Sequence, residues 1–155
     1  MAATAALELD PRRTIVRAEG TGGPVLLALP IGWEDLAGAF DGIVSERAIE
    51  QAIERVEDAL GHPKLDFARG LRVRGDETLS QMAQAAGLAG GSDVTLTAEA
   101  VEAMFARLAM QSAGALPRED RLPGDPRFRA TLVIVRELIH HLNVQELSLD
   151  SLSLD

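Results

Sequence analysis

The sequence contains no cysteine and no tyrosine, and only one tryptophan and four phenylalanines among its 155 residues. Without cysteine the protein cannot form disulfides, thiolate metal sites or a cysteine nucleophile. Because aromatic side chains are so few, the core must consist of leucine, valine, isoleucine, alanine and methionine. The apolar fraction of 46% and the charged fraction of 25% are typical of a folded globular protein, and we expect one domain over residues 1–155.

The sequence also lacks the features that direct a protein to membranes. No stretch approaches the roughly 20 apolar residues that a membrane span requires. The first ten residues lack the basic region and the apolar run of a signal peptide. We therefore expect a cytoplasmic protein with no membrane contact. The formal net charge of −9 repels phosphate backbones, which disfavours nucleic-acid binding.

The apolar patterns predict an α+β fold in which about four helices pack on a small antiparallel sheet. Apolar runs at 14–19 and 24–29 flank a glycine-rich connection and predict a β-hairpin within residues 1–30. Residues 45–143 are mainly helical in pattern, and the longest helix runs from Pro126 to about Asn143. Residues 144–155 alternate leucine with polar residues, which predicts an edge strand or a tail.

The helix predicted at 46–60 has one strongly acidic face, opposite an apolar stripe. Ser45 is the expected N-cap and Gly61 the expected C-terminal glycine. A solvated helix face is the simplest interpretation, and the alternative is a surface that binds a basic protein partner. The acids of this face are Glu46, Glu50, Glu54, Glu57 and Asp58.

The long helix carries two of the three histidines beside a glutamate. Glu137 lies one turn from His140 and from His141, so its carboxylate can reach either imidazole. A solvent-exposed helix back with local pairing explains these residues. The alternative is a transition-metal site formed by Glu137, His140 and His141, with His62 added if the fold brings it near. The His-Glu-x-x-His order of zinc proteases is absent.

Residues 77–88 resemble the first helix and the turn of a helix-turn-helix. The segment that should form the recognition helix, residues 89–96, is instead glycine-rich, acidic and β-prone. This departure disfavours DNA binding. The glycines at 20–23 indicate a hairpin turn, because a phosphate loop would end in Gly-Lys-Ser/Thr and would lead into a helix.

Four apolar residues in the last quarter of the chain lie outside the main apolar stripe of the long helix. We expect a twofold homodimer to bury them.

With no catalytic motif, the sequence predicts a non-enzymatic protein-interaction module: an adaptor, chaperone or regulatory subunit without a cofactor, acting as a small acidic homodimer. The alternative is a metal-binding protein or metal-dependent enzyme that uses Glu137, His140 and His141. The expected dimer-interface residues are Val133, Val144, Leu147 and Leu149.

Overall fold

A computed structural model describes residues 3–20, 23–61, 68–88 and 94–150. Within these residues the chain forms six strands and five α-helices, with two short 3₁₀ helices at Gly38–Phe40 and Arg118–Asp120. In chain order the elements are β1 (Ala3–Leu9), β2 (Thr14–Gly20), β3 (Gly23–Leu29), α1 (Trp33–Ala37), α2 (Glu46–Leu60), β4 (Ala68–Arg74), α3 (Glu77–Ala85), β5 (Val94–Thr97), α4 (Ala98–Ser112), α5 (Pro126–His141) and β6 (Glu146–Asp150).

The strands form one mixed sheet in the order β3-β2-β1-β4-β6-β5. The predicted hairpin of β2 and β3 is confirmed, and β1 also pairs antiparallel with β2. By contrast, β4 runs parallel to both β1 and β6. The α+β class is confirmed, but the sheet is not purely antiparallel. Parallel neighbours require long crossover connections, and the helices α1 to α5 lie within these connections.

The helices bury one face of the sheet. Along β4, Leu71 and Val73 are buried whereas Arg72 and Arg74 are exposed, as expected for side chains that alternate between two faces. The last strand, β6, lies between β4 and β5. The prediction of an edge strand is therefore wrong in its position, and residues 151–155 lie outside the described part of the chain.

Helix α5 is central to the helical layer and contacts α1, α2, α3 and α4. Because these helices surround it, the helix has no continuous polar back, contrary to the sequence-based interpretation. Glu137, which the sequence placed on that back, is only 1% exposed, and Arg129 of the same helix is 4% exposed. None of the helices in the described residues is long and apolar enough to cross a membrane.

The residues predicted to form a dimer interface lie instead in the core of a single chain. Leu147 and Leu149 are on β6, where they pair in register with Leu71 and Val73 of β4. The four predicted interface side chains are thus buried within one molecule, and almost none of their surface remains for contact with a second copy. The exposed fractions are 0% for Val133, 3% for Val144, 0% for Leu147 and 6% for Leu149.

Candidate functional site

The three parallel strands β1, β4 and β6 end at the same edge of the sheet. Asp10 follows the end of β1, and Gly75 and Asp76 follow the end of β4. Asp150 is the last residue of β6, and its carbonyl oxygen accepts a hydrogen bond from the Gly75 amide at 2.8 Å. Polar side chains from distant parts of the sequence are therefore collected at one edge.

A cleft opens between the ends of β1 and β4. After β1 the chain continues to β2, which lies next to β1 on the side away from β4. After β4 it continues to β5 and β6, which lie on the opposite side, away from β1. Such a switch point is where open α/β sheets bind ligands, because the two connections separate and leave a crevice. The cleft has a volume of about 570 Å³, and it is lined by Leu7, Glu8, Leu9, Asp10, Val73, Arg74, Gly75, Asp76 and Leu79.

Asp76 has two partners at the floor of this cleft. Its Oδ1 accepts a hydrogen bond from the Leu79 amide at 2.8 Å and thereby caps α3. Its Oδ2 lies 3.0 Å from Nη2 of Arg127, in the first turn of α5. The carboxylate of Asp10 accepts from Nε of Arg13 at 3.3 Å. Both strand-end carboxylates are thus held in place.

Spare hydrogen-bond donors lie in and beside the cleft. Arg74 lines the cleft and has no ion-pair partner within the described residues. The Arg127 guanidinium lies 4.3 Å from the centre of the Trp33 ring. Trp33 Nε1 and Arg127 Nε are buried, and neither has a hydrogen-bond acceptor among the described residues. Leaving such a donor unpaired costs about 1–3 kcal/mol.

The turn from β1 to β2 is held against α1 by a close backbone contact. The Glu34 amide donates to the Pro11 carbonyl oxygen at 2.9 Å. A Cβ atom at Gly32 would lie 2.3 Å from the Asp10 carbonyl oxygen. Only glycine permits this approach, which fixes the position of Asp10 at the mouth of the cleft.

The residues of the cleft are chemically suited to a divalent cation and a phosphate group. Magnesium is usually held by one or two carboxylates together with substrate phosphates, and Asp10 and Asp76 supply such carboxylates. Guanidinium groups bind phosphate oxygens through charge-assisted hydrogen bonds, and Arg74 supplies such a group. The cleft can therefore bind a phosphate group in two ways: through a bound cation, and through direct hydrogen bonds from Arg74.

The structure brings together two of the four residues predicted to bind a metal. Nε2 of His141 lies 3.4 Å from Oε1 of Glu137 and 3.2 Å from Oε2 of Glu57. His140 is exposed and does not belong to this cluster. His62 lies outside the described residues. The third member, Glu57, comes from the acidic face of α2.

All five acids of that face are exposed. Their binding to a basic partner stays a prediction. The helix-turn-helix resemblance ends at α3, since the next element in the described part of the chain is strand β5 and not a recognition helix.

Sequence reasoning did not identify the cleft. It singled out neither Asp10 nor Asp76 as a ligand-binding residue. The available signal was an acid that follows an apolar strand at two separate places, Leu7–Asp10 and Val73–Asp76. The parallel pairing that makes these strands end together was not predicted.

No protein-family model matches the sequence, and no curated protein matches it either. Solved structures with the same fold were found. A Ppx/GppA enzyme from Aquifex aeolicus is 13% identical with a TM-score of 0.70, and the match covers 97% of this chain and 54% of that one. An exopolyphosphatase-like protein is 14% identical with a TM-score of 0.69, covering 96% and 55%. An exopolyphosphatase from Cytophaga hutchinsonii is 13% identical with a TM-score of 0.56, covering 97% and 53%.

The chain thus spans about half the length of these structures. At such low identity the likeness establishes the fold. The prediction of a non-enzymatic interaction module acting as a homodimer is wrong, because the neighbours of this fold are exopolyphosphatase-like enzymes.

Proposed function

We propose that the protein is a phosphate-processing enzyme that binds phosphoanhydride substrates such as inorganic polyphosphate in the cleft between β1 and β4. The observation that carries the proposal is the pair of carboxylates, Asp10 and Asp76, at the switch point of the sheet. The names of the structural neighbours, which include an exopolyphosphatase and a Ppx/GppA enzyme, support the same class of reaction. The protein would act in the cytoplasm, as the sequence predicts.

Each polar residue of the cleft would have its own role in the reaction. Asp10 and Asp76 would hold a magnesium ion, which neutralises negative charge on phosphate oxygens. Arg74 would bind a phosphate oxygen directly. In the hydrolysis a water oxygen forms a bond to phosphorus, the bridging P–O bond breaks, and the shortened chain leaves with its oxygen. Glu8, the remaining carboxylate of the cleft, would accept the proton of the attacking water.

Substrate binding is the first property to test, because the chain spans about half of its neighbours. Titration calorimetry would measure binding of polyphosphate to the full chain with and without magnesium. We expect magnesium-dependent binding that Asp76→Asn or Asp10→Asn weakens at least tenfold. Asparagine caps helices about as well as aspartate, so Asp76→Asn removes the charge and retains the start of α3.

Asp58→Asn is the matched control, because Asp58 is an exposed acid of α2 that does not line the cleft. It should bind polyphosphate as the wild type does. Release of inorganic phosphate, measured with the same variants, then tests hydrolysis. The proposal fails if polyphosphate does not bind, or if binding is equal in Asp76→Asn, Asp10→Asn and the wild type.

A further inference from the structure

We propose that Glu57, Glu137 and His141 form a site for a divalent transition-metal ion such as Zn²⁺, with a water molecule as the fourth ligand. The three side chains meet where α2 packs on α5. Arg127 of α5 contacts Asp76 in the phosphate cleft. Since His141 follows Arg127 by 14 positions, about 21 Å along the helix axis separates the two places. The metal site is therefore independent of the proposed phosphate site.

The distances within the cluster are compatible with a bound metal ion. His141 Nε2 lies 3.2 Å from Glu57 Oε2 and 3.4 Å from Glu137 Oε1. Charge-assisted N–H···O bonds are shorter, at about 2.7–2.9 Å. In tetrahedral zinc sites with bonds of about 2.0–2.1 Å, neighbouring ligand atoms are ~3.3 Å apart. All three ligand atoms lie within 4.8 Å of one another.

The local sequence explains how two of the ligands are aligned. Glu137 and His141 are separated by four residues on α5, so their side chains lie one above the other on the same helix face. His140 is the next residue and is therefore turned by about 100° from His141. It is exposed, and its ring centre is 6.4 Å from that of His141. Of the two histidines, only His141 therefore belongs to the proposed metal site.

The carboxylate of Glu137 is held with one oxygen directed at the cluster. Glu137 is 1% exposed, and its Oε2 accepts a hydrogen bond from Arg136 Nη1 at 2.6 Å. Arg136 is held in turn by Glu102, through bonds of 3.1 and 3.2 Å, and lies 4.5 Å from the Phe105 ring centre. Hydrogen-bonded ligands of this kind are typical of metal sites, where outer partners fix the orientation of the ligand.

The charges of the network leave a deficit that a divalent ion would neutralise. Glu57, Glu102 and Glu137 contribute three negative charges and Arg136 contributes one positive charge, which gives −2 while His141 is neutral. Only the Glu137 carboxylate is buried, and Arg136 compensates its charge. A metal ion of charge +2 would neutralise the rest of the cluster.

The test is titration of Zn²⁺ into chelator-treated, untagged full-length protein, with native mass spectrometry for stoichiometry and calorimetry for affinity. We expect one ion per chain, and at least a tenfold loss of affinity in His141→Asn and in Glu57→Gln. Glu57 is exposed, so the second variant folds even if changes at the buried Glu137 do not.

His140→Asn is the matched control, and His62→Asn reports on the third histidine of the chain. We expect both to bind Zn²⁺ as the wild type does. Zn²⁺ should also raise the Tm of the wild type and of His140→Asn but not that of His141→Asn, because a ligand stabilises the state that binds it. Absence of Zn²⁺ binding, or affinity that is retained in His141→Asn and lost in His140→Asn, would overturn the proposal.

Discussion

Arg129 of α5 donates a hydrogen bond from Nη1 to the carbonyl oxygen of Phe40 at 2.7 Å, inside the protein. The same nitrogen lies 2.7 Å from the carbonyl oxygen of Gly42. Phe40 is the last residue of the 3₁₀ helix after α1, and Gly42 lies two residues beyond it, outside any helix or strand. Arg129 therefore attaches the segment after α1 to the central helix.

We expect Arg129→Met to lower the free energy of unfolding by about 2–4 kcal/mol, because it leaves the buried Phe40 carbonyl oxygen without a donor. Urea denaturation followed by circular dichroism would measure this change. Arg121→Met, at an exposed position, should change stability by less than about 0.5 kcal/mol. Equal effects of the two substitutions would contradict the role given to Arg129.

Gly32→Ala should destabilise the protein by about 1–3 kcal/mol, since its Cβ would lie 2.3 Å from the Asp10 carbonyl oxygen. Backbone would have to move to relieve the overlap. Gly38→Ala is the matched control, because φ there is −59° and nothing lies within 4 Å of the added atom. It should be neutral or slightly stabilising. Thermal unfolding of both variants compares them, and a neutral Gly32→Ala would show that this close contact is absent.

Leu147→Ala should lower the free energy of unfolding by about 2–5 kcal/mol, because Leu147 is fully buried in the interior strand β6. Leu26→Ala provides the control, at a position that is 62% exposed. Denaturant titrations at two protein concentrations would detect a dimer. If the effect of Leu147→Ala depends on concentration, the residue lies at an interface between chains.

The ion pair of Glu102 with Arg136 predicts a pH dependence of stability. Hydrogen bonding to Arg136 holds the pKa of Glu102 below its ordinary value. The carboxylate therefore stabilises the fold above the pKa of the unfolded chain, and this contribution is lost as the pH falls through the lower pKa of the folded state. The effect is small because the side chain is 52% exposed.

Glu102→Gln should lose less stability than the wild type between about pH 5 and about pH 3. Urea titrations at several pH values, in the presence of a chelator, would measure the difference. Glu99→Gln serves as the control, because Glu99 is exposed on the same helix and has no ion pair in the described part of the chain. It should follow the wild type. A Glu102→Gln profile parallel to that of the wild type would exclude the expected linkage.

Local patterns predicted the individual elements well. The apolar stripe and Ser45 predicted α2, whose N-cap accepts a hydrogen bond from the Ala48 amide at 3.1 Å. Proline at the first position predicted the start of α5. Such signals act within a few residues of the chain, so they can be read without the rest of the fold. The β2–β3 hairpin was predictable for the same reason.

The candidate sites were predicted only in part. The spacing of Glu137 and His141 is a local property of one helix, and the structure confirms that the two side chains meet. Their third partner, Glu57, is 80 positions from Glu137 and was interpreted only as part of an acidic face. The carboxylates of the cleft, Asp10 and Asp76, lie at the same edge of the sheet because β1 pairs parallel with β4. No local pattern contains that pairing.

The sequence by itself determined the helices, their caps, the hairpin and the class of the fold, because propensity, capping and periodicity are properties of neighbouring residues. Only the tertiary structure decided that β6 is an interior strand, that Arg129 and Glu137 are buried, and that two acids share a cleft. These outcomes depend on which distant elements pack together. A polar residue on a helix is exposed or buried according to what covers it, and strand order determines which chain ends meet.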